Sequence, residues 1–483
     1  MTYLPSVTRN TVTLFLNKIL ISAVNFLVGI VVIRHLGADR FGMYSVVFAF
    51  LSFFSVFTVG SGVDQILVRE VSRGGNVDEV RRKTTTSIFL RLLMGMAGVL
   101  IAFLVSRVLY GTTAVSMYIM VSAFSLAFSF HESNSPFIVG YNTRLQLFVP
   151  QIVMTVVTIA FATFKLFLVY WSRADVLSFI LADAAVPVVV SIAYWILYRK
   201  TGGHPIRLSD ISVPEAKYLI RESAPLLVSS LFIILYMRID QILISKWLGS
   251  EALGNYSVAV RISEIFNFVP AYLAVSMLPV FTKTLGDGNS DELYEVCFRF
   301  LNLFIFPVIL FFTLFSGEFL DILFPGQFPE AAGTLRVLIW SEFFIFAGVI
   351  HSTIVLANGL QRYTIYFVSA QAMLNLFLNW ILIPRMSIVG AAWASVASYS
   401  VGLLIALLLP EVGRFTRILL RASWTFIAIT LIVAVVLMTV PNIQKTVFGI
   451  AGVTLLFIIG SKRQDLSIIR GILNETKFLR RYL

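Results

Sequence analysis

Apolar residues run along this chain in blocks of about 20 positions or more, separated by short stretches where charge, glycine and proline gather. At 1.5 Å per helical residue, a block of that length matches the roughly 30 Å of hydrocarbon in a bilayer. The pattern predicts fourteen spans, at about 11–33, 41–66, 84–106, 113–138, 145–171, 175–198, 220–245, 254–280, 294–317, 330–358, 362–383, 388–410, 418–440 and 443–460. The first block is too long for a signal-peptide core and lacks a small-residue cleavage site, so it reads as a retained span.

Two of the intervening turns are near copies. Residues 36–46 read LGADRFGMYSV and residues 248–258 read LGSEALGNYSV, with six of eleven positions identical at an offset of 212. Six spans separate the copies, so both enter the membrane from the same side and the duplication is parallel. The expected fold is an all-α integral membrane protein with a first lobe at 1–200 and a second at 220–410. A connection at 201–219 joins them, an added pair of spans fills 411–460, and a basic tail covers 461–483. Ser212 and Glu215 resemble a capping box opening a short surface helix ahead of span 7, and the connection is the expected pivot between the lobes.

Composition agrees. The chain is 58% hydrophobic and 13% charged, with a mean hydropathy of +0.89, a balance that needs lipid. Its single cysteine, Cys297, excludes a disulfide within the chain. With the N-terminus inside, the inner segments hold 24 Lys and Arg and the outer segments 7. Positive charge is retained on the cytoplasmic side, so both termini are expected there. The net charge of +12 then reflects topology and contact with anionic lipid rather than nucleic acid.

The LGxxxxGxYS hairpins, the segment LVREVSR at 67–73, the run RIDQILISKWLG at 238–249 and the fourteen-span layout resemble polysaccharide-export flippases of the multidrug/oligosaccharidyl-lipid/polysaccharide (MOP) exporter superfamily, those of the Wzx type that handle O-antigen units in particular. The resemblance implies a two-lobed, MATE-like transporter of the inner membrane. By alternating access it would move an undecaprenyl-diphosphate-linked oligosaccharide from the inner to the outer leaflet. It also implies a polysaccharide polymerase and chain-length machinery as further partners.

Ionisable residues within spans cost several kcal/mol unless they face a cavity or a partner, which makes them the candidates for chemistry. A cavity for a diphosphate needs fixed cations, and arginine offers a fork suited to phosphate oxygens. Lys18, Arg91, Arg238 and Arg336 are the expected substrate-binding cations. Asp64, Asp183, Asp240, Arg261, Glu264 and Glu342 are the expected structural or coupling residues. Asp240 and Arg261 lie at equal depth around the turn near residue 250 and are expected to pair, leaving Arg238 for the cavity. Trp171, Trp247 and Trp340 read as interfacial anchors, and the polar stretch His131, Glu132, Asn134 and Pro136 as a bend.

The chain has no GxxxxGK[ST] phosphate loop, no DxD pair and no clustered histidines, so neither a cofactor nor a metal is expected. Within the superfamily, a lipid II flippase and a multidrug or cation exporter stand as alternatives. A membrane polymerase or transferase is a remote one, because no outer loop exceeds about a dozen residues.

Overall fold

The computed structural model describes residues 4–438 apart from 59–61, 73–75, 132–134, 144–147, 173, 202–204 and 285–289, and among the described residues there is no β-strand. The helices are α1 (Leu4–Ser55), α2 (Val63–Ser72), α3 (Val77–Tyr110), α4 (Ala114–Ala127), α5 (Val139–Thr143), α6 (Phe148–Phe167) and α7 (Val176–Lys200). They continue with α8 (Val213–Trp247), α9 (Ser250–Ser263), α10 (Phe268–Lys283), α11 (Ser290–Leu323), α12 (Ala331–Ala357), α13 (Thr364–Leu408) and α14 (Gly413–Met438). Among the described residues, ten helical segments are long and apolar enough to cross a membrane, and α4 is a shorter apolar helix.

Three of these segments contain a break, α11 at Phe315 with its φ still negative and two others at positive φ. α1 is interrupted at Gly37, whose φ of 69° lies in the left-handed region that glycine adopts without a Cβ penalty. α13 is interrupted at Ser387, φ 54°, the single non-glycine residue with positive φ among the described residues. There the chain folds back so tightly that a Cβ on Gly390 would lie 2.6 Å from the Leu382 carbonyl carbon. Divided at the breaks at Gly37 and Ser387, the helices overlap the expected spans through 418–440, with departures in spans 2 and 4. The fourteenth span, 443–460, and the basic tail lie outside the described residues.

Three local expectations are corrected. Span 2 does not run to residue 66: the helix stops at Ser55, and after Gly62, φ 75°, the ten-residue α2 starts. Span 4 ends at Ala127 rather than 138, and farther along Pro136 opens a separate 3₁₀ turn that the Ser135 side chain caps by accepting from Phe137 N. Ser212 caps α8 itself, its hydroxyl accepting from Glu215 N at 3.4 Å, but its own N–H goes to Thr86 Oγ1, so the reciprocal half of the expected capping box is not made, and only a 3₁₀ turn at Leu208–Asp210 precedes the span among the described residues.

The chain forms two compact units, Thr2–Gly254 and Asn255–Leu483. The first keeps the described part of the 201–219 connection. Arg81 Nε sits 3.2 Å from Asp210, and Ser212 N donates to Thr86 Oγ1 at 3.1 Å. Arg69 pairs with Glu222 at 3.0 Å, the Tyr218 hydroxyl donates to Glu70 at 3.1 Å, and Lys83 lies 3.4 Å from Glu70. Beneath this polar clamp, Val63, Ile66, Leu90 and Leu219 close a small apolar core from α2, α3 and α8. The connection is thereby fastened to the first unit.

Candidate functional site

In the first unit, α3 carries Arg91 into the protein, where it is only 1% exposed. A buried guanidinium requires partners for its charge and its donors. The Arg91 guanidinium pairs with the Asp64 carboxylate on α2, donates to the Ser129 carbonyl just beyond α4, and lies over the Phe130 ring at 4.7 Å. Sequence reasoning set Arg91 among the substrate cations and Asp64 among the structural or coupling acids; the structure brings the two together.

A second charged knot links the spans around it. Lys165 on α6 lies 2.5 Å from Asp183 on α7, whose other oxygen accepts from the Tyr44 hydroxyl of α1 at 2.6 Å. Tyr44 belongs to the first hairpin copy, so the repeat motif supplies a ligand to this carboxylate. Arg238 on α8 is half-buried and interacts with its surroundings. Asp240 is buried and accepts from Gln241 N at 2.7 Å. Its expected partner, half-buried Arg261, belongs to the second unit. The Lys18 side chain lies outside the described residues.

In the second unit, α12 presents two charges on different sides. Glu342 is 1% exposed, within hydrogen-bonding reach of Ser263 and close enough to half-buried Glu264 for the two carboxylates to act on each other. Six residues earlier, Arg336 is exposed and lines a cavity of ≈ 470 Å³ walled by Trp340, Phe344, Trp393 and Leu431. Trp340 is fixed there by its indole N–H, which donates to Thr313 Oγ1 at 3.1 Å. One cation at the edge of an apolar cavity suits an amphiphile with an anionic head.

Sequence reasoning missed one polar ladder. Asn379 donates to Asn375 at 2.9 Å and Asn375 to Ser398 at 3.1 Å, all three fully buried within α13. Two asparagines four positions apart in an apolar run share a helix face, and that spacing is the signal that would have found them. Among the described residues no three His, Cys, Asp or Glu side chains gather in a way that holds a metal ion.

Comparison with known proteins is consistent with this architecture. Residues 7–285 match the family model described as polysaccharide biosynthesis protein, and residues 225–381 match the MatE model. The capsular polysaccharide biosynthesis protein CapF of Staphylococcus aureus is 25% identical over 40% of this chain and 50% of its own. The probable low-salt glycan biosynthesis flippase Agl15 of Haloferax volcanii is 26% identical over 40% of this chain and 42% of its own. The alignments thus span half or less of these relatives. Among solved structures, the lipid II flippase MurJ in an inward closed conformation matches with a TM-score of 0.68 at 14% identity, covering 91% of this chain and 98% of that one. An inward-facing multidrug resistance MATE transporter matches at 0.66 and 14%, covering 82% and 96%. With a family model matched over more than half its length, the chain belongs to the polysaccharide biosynthesis protein family, and its fold is that of the MOP superfamily.

Proposed function

We propose that this protein is a flippase, a transporter rather than an enzyme, that carries an undecaprenyl-diphosphate-linked oligosaccharide from the inner to the outer leaflet of the cytoplasmic membrane by alternating access. The observation that carries the reading is the family match over residues 7–285, which runs through the first hairpin copy and past the second. The names of CapF and Agl15 support a glycan substrate. Arg238 and Arg336 are the cations proposed to meet the diphosphate, one in each compact unit. Arg91 is proposed instead to hold α2 against α3, because its charge is already matched and shielded.

The proposed topology has both termini in the cytoplasm, which a reporter fusion after Tyr198 checks by lacking periplasmic activity. A polymerase and its chain-length partner are proposed to take the product. Buried Glu342 on α12, a carboxylate enclosed within a span, is proposed as a residue through which an ion gradient couples to transport. The decisive experiment is deletion of the gene in its host. Lipid-linked oligosaccharide should accumulate on the inner leaflet and clear when the gene is restored. An unchanged pool, together with export of a hydrophobic cation, would replace this reading with the multidrug one.

A further inference from the structure

The two hairpin copies touch each other in a way that their chemistry alone would not demand. Gly37 and Gly249, 212 positions apart, both take left-handed backbone, with φ of 69° and 89°. Each is followed by a helix with small residues four apart: Ala38 and Gly42 in the first copy, Ser250 and Gly254 in the second. That small-xxx-small spacing lets membrane helices bring their backbones into contact. A Cβ built on Gly42 would lie 2.6 Å from the Ser250 carbonyl carbon and nearer still to its oxygen. One built on Gly254 would lie 2.7 Å from the Ala38 carbonyl carbon, and again nearer to the oxygen. Since 38 corresponds to 250 and 42 to 254, each contact is the image of the other, as across a two-fold axis. The boundary between the two compact units falls one residue later, between Gly254 and Asn255.

We propose that this glycine seam is a switchable closure: the helices starting at Ala38 and Ser250 are joined in one state of the transport cycle and parted in the other, and the missing side chains at Gly42 and Gly254 set the balance. The inference rests on the alternating-access reading above. A seam of this kind suits reversible use. It is held by dispersion and weak Cα–H contacts to carbonyl oxygen, so parting it strands no buried charge. It is also sharply tunable. A methyl at either glycine meets main chain, which cannot rotate aside as a side chain would, so a single added carbon opens the seam. Opening it from one side relieves both contacts, and the second substitution then adds little.

The test places spin labels on Asp39→Cys and Glu251→Cys, two exposed positions that correspond under the repeat and flank the seam. Buried Cys297 is replaced by alanine so that no third thiol remains. Distances are measured by pulsed electron resonance on the full chain in lipid nanodiscs. Two populations are expected in the parent. Gly42→Ala or Gly254→Ala should shift their ratio toward the longer distance by roughly tenfold, the scale of forcing a methyl into a closed contact, and the double variant no further. Gly348→Ala, with nothing within 4 Å of the added carbon, should leave the ratio as it was. A single short distance in the parent would overturn the proposal whether or not the glycine variants fold. So would two populations indifferent to either glycine substitution in folded protein. Failure of the flippase reading would appear separately, as an unchanged lipid-linked sugar pool in the deletion strain.

Discussion

Arg91 and Asp64, 27 positions apart, form an ion pair that fastens the short helix α2 to the long span α3, with the arginine almost wholly enclosed. Removing one partner leaves the other charge buried and unmatched, at a cost of about 3–5 kcal/mol. Arg91→Gln and Asp64→Asn are each expected to lower the yield and melting temperature of the purified protein. The double variant should lose less than the two singles combined. Normal folded yield with abolished transport in Arg91→Gln would instead return this arginine to the substrate.

Glu342→Gln keeps the shape of the side chain and removes its ionisation, while its neighbours Ser263 and Glu264 stay in place. The expected result in proteoliposomes is normal folded yield with transport that no longer responds to an imposed proton or sodium gradient. Gradient-driven transport at the parental rate would remove Glu342 from coupling.

The clamp on the connection should be sensitive to acid. Burial opposes ionisation of Glu70, but hydrogen bonds from Tyr218, Arg69 and Lys83 outweigh it and hold the carboxyl below its ordinary value of 4.5. A depressed folded value means that the stabilisation is present above 4.5 and is lost as pH falls through the folded value. Limited proteolysis between Arg207 and Lys217 should therefore accelerate below about pH 4.5. Glu70→Gln should show the faster cleavage already at neutral pH, and unchanged protection in that variant would discount the clamp.

Arg336→Gln should fold as the parent does, because the side chain is exposed at the cavity edge. Binding of an undecaprenyl-diphosphate sugar should weaken, and its dependence on salt should flatten, since exposed charges are screened over about 8–10 Å near physiological ionic strength. Unaltered affinity and salt dependence would move the diphosphate site elsewhere.

The spans and the repeat were legible in the sequence because both depend on patterns along one helix, apolar block length in one case and a recurring LGxxxxGxYS string in the other. What stayed hidden depends on the chain leaving its helix. Asp64 was visible as a costly acid, but the stop at Ser55 and restart at Val63 that turn it toward Arg91 are set by the chain around Gly62. Asp183 was conspicuous, yet Lys165 and Tyr44 became its partners only once α1 packed beside α6 and α7.

The clamp has a consequence for how such a molecule is made and inherited. α8 opens the second sequence copy, yet its first turns are held by Arg69, Glu70 and Thr86 of the first, through Glu222, Tyr218 and Ser212. A ribosome feeding this chain into the membrane finishes the seat for α8 well before α8 emerges, so the later copy begins by docking onto a surface already built. A gene cut at the repeat boundary would therefore leave α8 without the partners that hold its first turns.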